Sequence, residues 1–187
     1  LFPSEFTQNN ESIDINGLVW MGEPSYMKEQ IEQKIAENFT CIKLKIGAID
    51  FNKELELLQF IRTHFDAKTI EIRVDANGGF SPEEALSKLN QLHKFDLHSI
   101  EQPIRQHQIA EMKKLCQETP FPIALDEELI GVFSLEHKEE LLHKIKPQYI
   151  ILKPSLVGGF QGTHEWISLA EKHNIGWWIT SALESNI

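Results

Sequence analysis

Cysteine is almost missing from this chain of 187 residues: Cys41 and Cys116 are the only two, and they stand far apart. A pair so placed excludes a disulfide framework and predicts buried, reduced thiols in a cytoplasmic protein. Clusters of lysine or arginine are absent too. With 18 basic and 28 acidic residues the net charge is −10, so nothing offers a footprint for nucleic acid. There is no apolar run of about 18 residues and no signal peptide, so neither membrane spanning nor secretion has support. The eight histidines show no HxxxH-type spacing near acidic residues and read as surface groups. Low-complexity tracts and sequence self-similarity are lacking as well, and nothing specifies an oligomeric state. What is present is ordinary for a globular domain with a sizeable core: 41% hydrophobic and 25% charged residues.

The positive signal is a period. Short apolar segments run into a charged residue at Lys45, Asp75, Glu101, Asp126 and Lys153, at intervals of 30, 26, 25 and 27 residues. Each interval has the length of one strand, one helix and two short loops, a βα unit. Strands are predicted at Leu18–Met21, Cys41–Ile46, Ile70–Asp75, Leu97–Glu101, Ile123–Asp126, Tyr149–Lys153 and Trp177–Ser181. Helices fall between them, near 25–38, 50–64, from 81 onwards, and near 108–118, 135–144 and 162–173. Asp50 reads as an N-cap, and Ser81-Pro82-Glu83-Glu84 as a capping box with proline at the first helical position. Trp177 and Trp178 read as core residues on alternate faces. Strands alternating with helices of this length predict a parallel sheet, and the period predicts a (β/α)8-type (TIM) barrel of the α/β class. Such a barrel typically takes about 250 residues, so the chain is expected to be most of one, cut at both ends. Residues 1–14, polar and containing Pro3, are expected to be a linker from a missing domain, and 15–187 a partial barrel of seven strands.

Charged residues at successive strand ends gather at one rim, where such barrels do their chemistry. Asp75, Glu101 and Asp126 occupy three consecutive units. Singly, each reads as a solvated loop residue or a helix cap. Together, three neighbouring carboxylates are tolerated only beside a compensating cation, and an all-oxygen set suits a hard ion, Mg²⁺. Asn77 and Glu127 adjoin two of these ligands and read as their supports, or as plain turn residues. Lys43 and Lys45 point to one face of their strand. If that face is the interior, two ammonium groups disfavour each other's charge, which lowers a lysine pKa towards that of a base. Lys153 ends the strand opposite. A base on one side and a cation on the other side of a metal-bound carboxylate is the arrangement that removes a proton α to that carboxylate, so the expected partner is a small-molecule carboxylate substrate. Gly158-Gly159 reads as a turn, or as a place where backbone amides approach an anionic substrate group. Ser181 is placed to hydrogen-bond a substrate carboxylate.

Lys-Leu-Lys45, Asp75-Ala-Asn77, Glu101-Gln-Pro103, Asp126-Glu127 and Lys153-Pro-Ser155 together resemble the muconate-lactonizing branch of the enolase superfamily over about residues 15–187. The segments Asn-Gly-Leu-Val-Trp-Met-Gly22 and Thr-Ser-Ala-Leu-Glu-Ser-Asn-Ile187 are similar to a dehydrating member of that branch. The resemblance implies Mg²⁺ on Asp75, Glu101 and Asp126, with Lys45 as the group that takes the α-proton. The same lysine would then protonate the departing hydroxyl on one face, a syn dehydration to an aromatic product. Lys43 would tune Lys45, and Lys153 would stabilise the enediolate, partly through a cation–π contact. A racemase or epimerase of the same branch, using the lysines from opposite faces, is the alternative; a barrel fragment inert without its capping domain is another.

Overall fold

Alternation of side chains decides which way each strand faces. In the computed structural model, which describes residues 4–184, β2 (Cys41–Lys45) buries Ile42 and Leu44 on the helix side and leaves Cys41, Lys43 and Lys45 on the other. In β3 (Glu71–Asp75), Ile72 and Val74 are buried in the same way, and Glu71, Arg73 and Asp75 share the lumen side. Seven strands form one parallel sheet in the order β1 to β7. The others are β1 (Gly17–Val19), β4 (Ser99–Glu101), β5 (Ile123–Leu125), β6 (Tyr149–Leu152) and β7 (Gly176–Ile179). Six helices alternate with them: α1 (Pro24–Ala36), α2 (Phe51–His64), α3 (Pro82–Leu92), α4 (Ile109–Glu118), α5 (Leu135–Ile145) and α6 (Gly159–Lys172). Among the described residues β1 and β7 do not pair, so each is an edge across a gap in the barrel.

The core lies between sheet and helices, where Met27, Ile31, Leu58, Ile61, Leu89, Met112, Leu142 and Trp166 cover the buried strand faces. Helix starts follow the local chemistry. Asp50 accepts from the amides of Asn52 (3.0 Å) and Lys53 (3.3 Å), and the Ser81 amide donates to Glu84 Oε1 (3.1 Å) in the expected capping box. α6 begins at Gly159, earlier than predicted. Gly158, at φ 101°, provides the left-handed turn that starts it, and the Gly162 amide already bonds to the Gly158 carbonyl (3.1 Å). Gly162 lies inside the helix because a Cβ there would stand 2.1 Å from the Val157 carbonyl oxygen.

Two expectations are corrected here. Trp177 is not core: it is 38% exposed on the outer face of the edge strand β7, while Trp178 turns inwards under the Arg73 guanidinium, 4.5 Å from it. His98 is not a surface group either. It is half-buried against the rings of Tyr149 (5.1 Å) and Trp178 (5.9 Å), and burial holds its pKa down. Of the segment Thr180–Ile187, residues 185–187 lie outside the described residues, as does Pro3.

Candidate active site

Parallel register sets Lys45, Asp75 and Glu101 side by side at the C-terminal ends of β2, β3 and β4, with Ala124 of β5 next in line. Asp126 follows two residues beyond Ala124, and Lys153 directly follows β6. Asp75, Glu101 and Asp126 are buried, and three ammonium groups reach them. Lys43 Nζ bridges Asp75 (3.0 Å) and Glu101; Lys45 Nζ donates to Asp75 Oδ2 (2.5 Å) and Asn77 Oδ1 (2.8 Å); Lys153 pairs with Asp126. The structure thus gathers both lysine groups and the carboxylates at one rim, with β2 supplying one side and the end of β6 the other.

Electrostatics differ along the row. Burial and the neighbouring Asp75 push the Glu101 carboxyl well above the usual range. Burial also works against the Asp75 charge, but Lys43 and Lys45 outweigh it and hold that carboxyl low. Burial alone would lower Lys43 and Lys153, yet Glu101 and Asp75 raise the first and Asp126 raises the second. The expectation that crowding lowers a lysine pKa is therefore reversed at Lys43. The reason is physical: carboxylates, not the second ammonium, are its nearest charges.

The residues flanking the row tie its loops together. Asn77, with φ 43°, donates its amide to Asp75 Oδ1 (3.0 Å) and its side chain to Glu127 Oε1 (2.9 Å), so it links the loops after β3 and β5. Ser181 lies beyond β7 and donates to Glu184 Oε2 (2.6 Å), while Ser155 donates to Glu184 Oε1 (2.5 Å). Hydrogen bonds from these two serines hold the Glu184 carboxyl down to about 2. Gly158-Gly159 forms a turn closed by the Gly159 amide on the Pro154 carbonyl (2.8 Å).

Two buried residues at this rim escaped the reading of the sequence, Gln102 and Glu128. Gln102 was visible as part of Glu-Gln-Pro, but its φ of 39° and its reach into the next loop have no signal in residue type.

For a hard cation the donor chemistry fits: carboxylate oxygens dominate, and the buried Glu101 Oε1 has no hydrogen-bond partner among the described residues. As the side chains stand, no three acidic, histidine or cysteine groups among the described residues form a ready cluster, because lysines face the carboxylates.

A parallel barrel carrying such a charged rim belongs to a recognisable class. Residues 26–187 match the family described as Enolase C-terminal domain-like, and the chain belongs to that family. More particularly, it is 59% identical over 186 residues to the o-succinylbenzoate synthase of Desulfotalea psychrophila, covering 100% of this chain and 50% of that protein. The crystal structure of MenC from D. psychrophila LSv54 superposes with a TM-score of 0.90 at 57% identity, over 98% of this chain and 51% of that one. An L-Ala-D/L-Glu epimerase of Francisella tularensis subsp. novicida is 28% identical over 178 residues, 94% of this chain and 49% of the epimerase. The chain spans about half the length of the curated relatives it matches.

Proposed function

We propose that this chain is the barrel portion of a cytoplasmic, Mg²⁺-dependent carbon–oxygen lyase. It would dehydrate a succinyl-hydroxycyclohexadiene carboxylate to o-succinylbenzoate, a step of menaquinone biosynthesis. One arrangement carries the reading: three ammonium groups close on a buried set of three carboxylates from β2 and from the end of β6. The 59% identity to an o-succinylbenzoate synthase supports dehydration over the other reactions such a rim could carry.

Asp75, Glu101 and Asp126 would hold Mg²⁺, which when bound neutralises charge building on the substrate carboxylate. Lys45 takes the proton from the carbon α to that carboxylate, and the C–H electron pair spreads into the carboxylate as an enediolate. Lys153, on the other side, stabilises that negative charge. The electrons then return to form the ring double bond as the C–O bond breaks. Lys45 gives its proton to the departing hydroxyl, which leaves as water on the same face. Lys43 keeps a positive charge between Asp75 and Glu101 throughout. Asn77 orients Asp75 and Lys45 by hydrogen bonds to both.

A second reading has an observation of its own. Lysines on two sides of one site suit removal of a proton from one face and its return to the other, and an epimerase stands among the relatives. The test is an assay of the full-length protein against the cyclohexadiene precursor and a panel of N-succinylamino acids. Dehydration with a kcat/KM above that for every racemisation substrate is the expected result. Racemisation without dehydration overturns the lyase reading, and no turnover of any substrate by the full-length protein overturns both readings.

A further inference from the structure

Glu101 ends β4 and Asp126 begins the loop after β5, and a buried amide joins the two loops that follow these strands. Gln102 is fully buried and uses all four of its hydrogen-bonding positions. Its Oε1 accepts from the amides of Asp126 (3.2 Å) and Glu128 (3.3 Å). Its Nε2 donates to the Ile104 carbonyl (3.0 Å) and to Glu128 Oε2 (3.2 Å). Glu128, also buried, accepts from the His107 amide at Oε1 (2.8 Å). Five bonds run through these two side chains, and four of them fasten residues 102–107 to residues 126–128. Gln102 at the junction has a left-handed backbone, with φ 39°. Conformations of this kind persist only where the surroundings impose them. Here the bond from the Asp126 amide to Gln102 does so.

We infer that Gln102 and Glu128 are positioning residues that set where the Glu101 and Asp126 carboxylates stand relative to each other, and so tune the affinity of the rim for a divalent cation. The inference rests on the reading of Glu101 and Asp126 as cation ligands. Neither Gln102 nor Glu128 touches the cation or the substrate; they act through the backbone of the two ligands. Groups that orient ligands in this way typically change metal affinity by about 10–100-fold when replaced.

The pair also supplies its own control, because its donors and acceptors can be exchanged. Gln102→Glu sets a carboxylate against Glu128 and against the Ile104 carbonyl, acceptor facing acceptor. Glu128→Gln sets an amide N–H against either Gln102 Nε2 or the His107 amide, donor facing donor. The double exchange restores a donor between the two side chains and leaves only the Ile104 carbonyl unserved.

The experiment titrates the full-length protein and these variants with Mn²⁺, read by electron paramagnetic resonance, with circular dichroism to verify folding. Each single variant is expected to bind Mn²⁺ about 10–100-fold more weakly, and the double variant to recover most of that loss. Single variants that fold and bind Mn²⁺ as the wild type does overturn the inference, as does a double variant no better than the singles. If Gln102→Glu fails to fold, Glu128→Gln, which leaves Gln102's bonds to the two amides intact, carries the test. An Asp126→Asn control separates the two levels: Mn²⁺ binding unaffected by it overturns the ligand reading itself.

Discussion

Replacing Lys45 with alanine separates proton transfer from cation binding. In the structure Lys45 Nζ stands 2.5 Å from Asp75 Oδ2, but Asp75 does not depend on it alone. Lys43 remains 3.0 Å from the same oxygen, and the Asn77 amide holds Oδ1 at 3.0 Å. The variant is therefore expected to fold and to bind Mn²⁺ at least as tightly as the wild type, since one competing ammonium is gone. Turnover is another matter. A positioned acid or base contributes about 10²–10⁴-fold, which corresponds to roughly 2.7–5.5 kcal/mol of barrier. Lys45 would serve both proton removal and proton return, so the loss belongs at the upper end. Lys45→Arg is expected to be equally inactive, because a guanidinium keeps the charge but does not give up its proton. Steady-state dehydration and exchange of the α-proton with deuterated solvent are the two readouts. Lys153→Ala should slow dehydration yet leave some exchange, whereas Lys45→Ala should abolish both. Dehydration by Lys45→Ala within tenfold of wild type removes Lys45 from the mechanism.

Burial pushes both thiols, Cys41 and Cys116, up to about 12, so at pH 8 only about one in 10⁴ of either is thiolate; the native protein should resist iodoacetamide that labels both sites in urea, and rapid native labelling contradicts this. Glu54 is buried on α2 and accepts from the Gly47 amide (2.6 Å); burial raises its pKa and that amide only partly offsets it. A raised carboxyl stabilises the fold below the ordinary carboxylate range and loses that contribution as pH rises through its raised value. The stability of wild type relative to Glu54→Gln should thus fall between pH 4 and 8 in urea unfolding, and a flat or rising difference refutes it. Gly79→Ala would place a Cβ 2.8 Å from the Ala76 carbonyl oxygen and 3.0 Å from that of Gly47. Both are backbone atoms with little freedom, so a loss of about 1–3 kcal/mol is expected in the same assay, and an unchanged midpoint argues that the two rim loops are looser than they look.

The parts of this architecture that residue type and spacing control were readable in the sequence. Alternation of Ile42, Lys43, Leu44 and Lys45 forces one face under the helices and the other into the lumen, and a repeat near 26 residues follows from unit length. Caps at Asp50 and Ser81 are local chemistry and were equally plain. What escaped depends on backbone angle or long reach. Gln102 acts through a positive φ and a partner 26 residues away. Trp177 looks like core in any window, and its exposure follows from lying on an edge strand. The direction of the Lys43 shift depends on which charges come nearest, and spacing along the strand shows only the neighbouring lysine.

Glu101 is the least satisfied member of the rim, and that has a consequence for stability. It lies beside Asp75 and feels Asp126 as well, yet among the described residues one lysine alone pairs with it, and its buried Oε1 has no partner there. Repulsion and burial both disfavour its charge, so the folded chain carries a cost there that a bound cation would remove. Glu101→Gln should remove it as well, by deleting the charge. In the absence of divalent cation the variant is therefore expected to unfold at a urea concentration equal to or above that of wild type. Adding Mg²⁺ should reverse the order. At a cation concentration of 100 times Kd, binding confined to the folded state stabilises it by about 2.7 kcal/mol, and the variant, short of one carboxylate ligand, should gain much less. Unfolding of both proteins in EDTA and in excess Mg²⁺ measures the crossing. If Glu101→Gln is strongly destabilised in EDTA, the carboxylate is already satisfied by its lysine, and the rim does not require a cation to balance it.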